Sequence, residues 1–110
     1  MKFEFEQCPG TDLARPVIYQ WTIEGEGVYV GKSINMKRRL RRYRWNVARL
    51  LKDFEYRPGN PAAFRKVHRA LASASRNGTK ITLTILENPP VAELNRREYE
   101  LIQLYGTLNG

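Results

Sequence analysis

Apolar positions along the chain fall into two rhythms. Val17-Ile18-Tyr19-Gln20-Trp21-Thr22-Ile23 is rich in β-branched and aromatic residues and predicts a strand. Glu24-Gly25-Glu26-Gly27 has the composition of a turn, and Val28-Tyr29-Val30 follows as a second short strand, so the pair predicts a hairpin. After Gly31 the rhythm changes. Met36, Leu40, Tyr43, Val47 and Leu50 step by four, three, four and three, which is one face of a helix over Met36–Leu51. Asn35 is its N-cap, and its other faces carry arginines. Asn60-Pro61 opens a second helix with Phe64, Val67, His68 and Leu71 as its stripe, and Asn77-Gly78 closes it. Ile81, Leu83 and Ile85 alternate with Thr82 and Thr84, a half-buried strand. Pro89-Pro90 punctuates before a last helix over residues 91–105.

The predicted order is ββααβα. It describes an α+β protein with a small three-stranded antiparallel sheet flanked by helices. Phe3 and Phe5 offer a further edge strand within residues 1–16. A length of 110 residues allows one domain, 1–110, and there is no internal repeat or linker. Hydrophobic residues at 42% and charged residues at 27% fit a globular chain rather than a disordered one. No apolar run approaches the roughly 18 residues of a membrane span. Acids stand where a signal peptide has its apolar stretch, which argues against export. Cys8 is alone, so neither an internal disulfide nor a cysteine zinc site can form, and the expected setting is the reducing cytoplasm.

Charge changes the picture more than composition does. The net charge is +8, but it is concentrated. Residues 1–30 and 81–110 are each net acidic, whereas residues 31–80 carry fifteen bases against Asp53 and Glu55. The density peaks in Lys37-Arg38-Arg39-Leu40-Arg41-Arg42-Tyr43-Arg44, with Lys32 just before it and no acid among them. A solvated helix face explains the run as well as nucleic acid does. Tyr43 and Trp45 within it favour nucleic acid, because bases and sugars pack on aromatics.

One acid stands out. On a wheel of 100° per residue, Glu98 falls about 40° from Leu94, inside the arc spanned by Leu101, Tyr105, Val91 and Ile102. Glu93 and Glu100 fall on the opposite side. A carboxylate facing the core needs a cation, a metal or a hydrogen-bond donor. An ion pair with an arginine at the core edge would satisfy Glu98. So would Mg²⁺, which takes one or two carboxylates and completes its shell with water and phosphate oxygens.

Together these residues resemble the GIY-YIG nucleases. Val17-Ile18-Tyr19 stands for the first half of the motif, with Val17 where the family usually has Gly. Val28-Tyr29-Val30-Gly31 stands for the second half. Arg39 lies ten residues past Tyr29, and Tyr43 takes the place where many members have His. Glu98 precedes Ile102 by four, and Asn109 follows the last helix. The likeness spans residues 16–109. It implies an antiparallel sheet flanked by helices and Mg²⁺-dependent hydrolysis of phosphodiesters, in DNA more often than RNA, with Mn²⁺ as a substitute ion.

The resemblance also implies roles. Arg39 would bond the non-bridging oxygens and stabilise the pentacovalent transition state. Glu98 would hold a single metal ion. Tyr19 and Tyr29 are candidates for the base that activates water, Tyr19 favoured and Tyr29 its neighbour. A free phenol titrates near 10, and an arginine and a metal favour the phenolate. The two share a face only where the hairpin pairs residues whose numbers add to an even value. Tyr43 would assist the base or contact phosphate. Lys32, Lys37, Arg38, Arg41, Arg42 and Arg44 would face nucleic acid, with Gly31 and Asn109 in support. His68 is expected to pack rather than catalyse.

The competing expectation is a non-catalytic DNA- or RNA-binding module that uses the basic helix 36–52. A bare Glu98 would repel phosphate in such a module, which favours the enzyme. One site makes one nick, so a double-strand break would call for a homodimer or a second visit. A lone domain is expected to have weak sequence preference, a separate specificity partner, or a dimer.

Overall fold

A computed structural model describes residues 1–52 and 66–109. The proposed opening of the second helix at Asn60-Pro61, and Phe64 of its stripe, lie outside the described residues. The elements run β1 (Glu4–Gln7), β2 (Val17–Ile23), β3 (Gly27–Ser33), α1 (Met36–Leu51), α2 (Lys66–Asn77), β4 (Ile81–Glu87) and α3 (Leu94–Tyr105), with a 3₁₀ turn at Val91–Glu93 before α3.

The protein is α+β, but its sheet has four strands and is mixed. The order is β1-β4-β2-β3. This corrects the expected three-stranded antiparallel sheet and the ββααβα order. The β2–β3 hairpin and the β2–β4 pair are antiparallel, and β1 adds to the outer edge of β4 in parallel, Glu4 opposite Thr82 and Gln7 opposite Ile85. The β2–β3 hairpin announces itself through a tight turn. A parallel partner far along the chain leaves no such local signal. All four β1 residues are exposed, and Phe3, just before them, packs edge-on against the Trp21 ring at 5.1 Å.

The sheet is the middle layer. Odd-numbered residues of β2 and β4 (Val17, Tyr19, Trp21, Ile23, Ile81, Leu83 and Ile85) face α1 and α2, where they meet Met36, Tyr43, Val47, Leu50, Val67 and Leu71. The other face carries a smaller cluster, Ile18 and Val30 against Leu94 and Leu101 of α3, with Val28, Leu86 and Ile102 at its margin. This accounts for the sequence of β2. It is apolar at Val17, Ile18 and Tyr19, where both faces are covered, and turns polar at Gln20 and Thr22, towards the strand end where one face opens.

α1 begins as its sequence predicts. The Asn35 side chain accepts a hydrogen bond from the Arg38 backbone N–H at 3.1 Å. α2 ends at Asn77, with Gly78 at φ +68°. Between Ile18 and Tyr19 the β2–β4 register shifts by one residue, so Tyr19 faces Ile85 while Ile18 faces Glu87.

A C-terminal segment closes the free edge of β3. Val28 N–H donates to Thr107 Oγ1 at 2.8 Å, and Leu108 N–H donates to Val28 C=O at 2.8 Å. Val30 N–H donates to Asn109 Oδ1 at 2.9 Å, and Asn109 Nδ2 donates back to Val30 C=O at 2.7 Å. The Asn109 amide thus pairs with Val30 much as another strand would. No helix among the described residues is long and apolar enough to cross a membrane.

Candidate active site and nucleic-acid face

β2 and β3 position the aromatic half of the site. Their register sets Tyr19 opposite Gly31 and Trp21 opposite Tyr29, so Tyr19 and Tyr29 both point to the α1 face. Their rings lie 6.5 Å apart, tilted. Tyr43 comes down from the buried stripe of α1, and its hydroxyl is 2.7 Å from that of Tyr19. Tyr43 also meets the Trp21 ring at 5.4 Å and the His68 ring at 5.2 Å.

Tyr19 has no exposed surface and Tyr43 is 3% exposed, whereas Tyr29, on the edge strand, is only half-buried. Burial pushes the Tyr43 phenol well above the usual tyrosine range. Its neighbours Tyr19 and Tyr29 and its hydrogen bond with Tyr19 push the same way, and the Arg39 charge partly opposes them. Tyr43 is therefore a neutral phenol across the physiological range. Arg39 is half-buried, while Lys37, Arg38, Arg41 and Arg42 on the same helix are exposed. That separation follows from phase. Arg39 borders the apolar stripe, four residues before Tyr43, and the others fall on the outward faces.

Glu98 and Lys32 meet on the other face of the sheet. Lys32 lies opposite Ile18, on the α3 side, and its ammonium is 3.3 Å from Glu98 Oε1. It also donates to Asn95 Oδ1. The Glu98 side chain is 22% exposed. Its partner is a lysine from the edge strand, not the core-edge arginine that the sequence suggested. Lys32, expected to face phosphate, is occupied by this pair.

The expected apolar arc of α3 is narrower than the wheel implies. Leu94 and Leu101 are buried, but Val91 is 66% and Tyr105 53% exposed. Val91 sits in the 3₁₀ turn, whose tighter winding breaks the helical phase, and Tyr105 is the last residue of α3.

The aromatic group and the Lys32–Glu98 pair therefore straddle β3, one on each face. The edge-closing bonds described above reach as far as Val30. Beyond them β3 continues through Gly31, Lys32 and Ser33 towards α1 and Arg39. At this end of the strand Tyr19 faces Gly31 on the α1 side, and Lys32 meets Glu98 on the α3 side.

No protein family, curated protein or solved structure matches this chain. The likeness to the GIY-YIG nucleases thus stays a reading of the chain's own sequence.

Some partners of the site had no signal in the sequence. Arg97 donates to Glu87 at 2.7 and 3.1 Å and to Glu100 at 2.7 Å, fixing α3 to the end of β4 beside Glu98. The spacing of Arg97 and Glu100 on a helix is legible. Glu87 is not, because the register shift that sets it opposite Ile18 arises only when the sheet forms. Asn95 gave no signal either. Arg44, expected to face nucleic acid, instead lays its guanidinium over the Phe3 ring at 4.9 Å and donates to the Met1 carbonyl at 3.3 Å. His68 packs on Tyr43 and contacts Asn46 Nδ2 through Nε2 at 3.4 Å.

No group of three or more His, Cys, Asp or Glu converges as a metal site among the described residues. The donor set around Glu98 is a single carboxylate. That suits an ion held largely by water and substrate phosphate, and not one that needs a full protein cage.

Proposed function

We propose that this chain is a Mg²⁺-dependent endonuclease of the GIY-YIG kind, acting on DNA in preference to RNA, in a cytoplasmic setting. The observation that carries this is the packing of Tyr19, Tyr29 and Tyr43 together beneath the arginine-rich α1, with the Arg39 charge acting on Tyr43.

The geometry favours Tyr29 as the base over Tyr19. Tyr19 is fully buried and bonded to Tyr43, so no substrate water reaches it without disrupting the core. Tyr29 lies on the edge strand with part of its surface open, and it would take the proton of the attacking water. Tyr19 and Tyr43 form the hydrogen-bonded floor that holds the Tyr29 ring in place. Arg39 would meet the non-bridging oxygens as negative charge grows on them.

Glu98 would hold the magnesium ion, which when bound offsets charge on the leaving 3′ oxygen. For that, the Glu98 carboxylate must be released by Lys32. The freed ammonium would then turn to a substrate phosphate, as expected of it from the sequence.

The Lys32–Glu98 pair also favours a second reading, a non-catalytic DNA- or RNA-binding module. With its charge met by Lys32, Glu98 no longer requires a metal. Purified protein incubated with supercoiled plasmid, single-stranded DNA and RNA, with Mg²⁺ or Mn²⁺, separates the two. The enzyme nicks at least one substrate, Glu98→Ala and Arg39→Ala abolish nicking, and binding survives in Glu98→Ala. If no substrate is cut while binding persists, the module is correct. Cutting by Glu98→Ala at the wild-type rate would remove Glu98 from the site.

A further inference from the structure

The outward face of α1 holds a feature that cleavage does not require. Arg39, Arg42 and Trp45 follow at three-residue spacing, a row that winds from the sheet side of the helix to its solvent side. Arg39 is half-buried, Arg42 is exposed, and Trp45 is 61% exposed. One turn further on, Arg49 sets its guanidinium over the Trp45 ring, 4.4 Å from the centroid. α1 contains no acid. The chain's other tryptophan, Trp21, has no exposed surface. An indole left this open, braced by one arginine and approached by a line of others, is poorly explained by folding. Burying it elsewhere would gain hydrophobic stability.

We propose that Trp45 is a stacking platform for an unpaired nucleobase, and that the preferred ligand is single-stranded nucleic acid lying along Arg39, Arg42, Trp45 and Arg49. Duplex DNA offers the arginines its phosphates but keeps its base planes inside the stack. An exposed indole meets a base face only where the base is unpaired. The cation on the Trp45 ring keeps it oriented, lowering the entropy lost when a base stacks. The spacing fits a short strand. Arg42 stands between Arg39 and Trp45, which are about 9 Å apart along the axis and about 120° apart around it, so a strand of a few nucleotides that crosses the helix obliquely reaches all three. A phosphate at Arg39 and a base at Trp45 thus belong to one stretch of strand. The proposal rests on the nucleic-acid reading of α1 but not on catalysis.

The test is binding in EDTA, where nothing is cut, read by anisotropy of labelled strands and by tryptophan emission. The probes are dT12, a twelve-residue abasic strand of equal charge, a 12-base-pair duplex and rU12. Wild type should bind dT12 at least 5-fold tighter than the abasic strand, with quenching of the exposed tryptophan. Trp45→Ala should weaken dT12 binding about 10-fold, leave the abasic strand and duplex unchanged, and lose the quenching, and Trp45→Phe should restore most of the affinity. Whichever of dT12 and rU12 quenches more strongly identifies the strand chemistry. Equal dT12 binding by wild type and Trp45→Ala, or tighter binding of duplex than of dT12, overturns the proposal and spares the nucleic-acid reading. Failure of all four probes to bind at low salt overturns both.

Discussion

The Tyr19 hydroxyl lies 2.5 Å from the point where a side chain on Gly31 would begin, and its Cζ is equally close. The two residues face each other directly across the β2–β3 pair. Gly31 is thus the space into which the Tyr19 ring folds. Its conformation is ordinary, so it is the missing Cβ that matters.

Gly31→Ala should therefore destabilise the fold. Tyr19 is fully buried and tied to Tyr43, so its ring has little room to retreat. Overpacking of this kind costs about 1–3 kcal/mol. At about 4–8 °C per kcal/mol for a domain of this size class, calorimetry should show a clear drop in Tm. An unchanged Tm would mean that the ring moves freely.

The Tyr19–Tyr43 hydrogen bond should behave as a coupled pair. Tyr19→Phe strips the Tyr43 hydroxyl, which is buried, of its partner at 2.7 Å, a loss of about 1–3 kcal/mol. Adding Tyr43→Phe removes the orphaned group, so the double variant should lose less than the two single variants combined. Urea unfolding of the four proteins measures the coupling, and strict additivity would contradict it.

Tyr43 also sets an alkaline limit. Its folded phenol is held well above the usual tyrosine range by burial, then by its tyrosine neighbours. The unfolded chain ionises near pH 10. The raised folded value means that the stability is fully present below about pH 10 and is lost as pH rises towards the folded pKa. Urea midpoints between pH 8 and 11 should fall for wild type and fall less steeply for Tyr43→Phe. Parallel curves would assign the alkaline loss to other groups.

Asn109→Ala removes both bonds to Val30 and reopens part of the β3 edge. About 1–2 kcal/mol should be lost, and exposed strand groups invite pairing with another copy. Light scattering should show association rising with protein concentration in the variant and not in wild type. A variant that stays monomeric would show that Thr107 and Leu108 suffice to close the edge.

Legibility in the sequence followed the range of each interaction. The hairpin, the bounds of α1 and its Asn35 cap depend on residues a few positions apart, and periodicity and capping chemistry reveal them. The separation of Arg39 from Lys37, Arg38, Arg41 and Arg42 was legible for the same reason, since helical phase alone decides it. Phe3 and Phe5 marked an edge strand, but its parallel pairing was obscure, because exposed Glu4, Phe5, Glu6 and Gln7 gain their strand from β4 and not from their own burial. The Lys32–Glu98 pair was hidden by its separation in sequence. The wheel gave Glu98 its face, but only the tertiary fold could supply the cation that meets it. The sequence also favoured Tyr19 over Tyr29 as base, whereas burial depth, which spacing does not show, leaves Tyr29 on the edge strand the more open of the two.

The position of β4 has a consequence for how the chain folds. It is the last strand in sequence, yet it lies between β1 and β2, with Glu4 waiting for Thr82. As the protein is synthesised, the hairpin and the basic helix emerge with Trp21 and Tyr19 lacking a strand on one side. Closing so long a loop is entropically costly and pays nothing until the pairing forms. The sheet should therefore assemble late and cooperatively, after Ile81–Glu87 is available, with the N-terminal strand docking only once that central strand is in place.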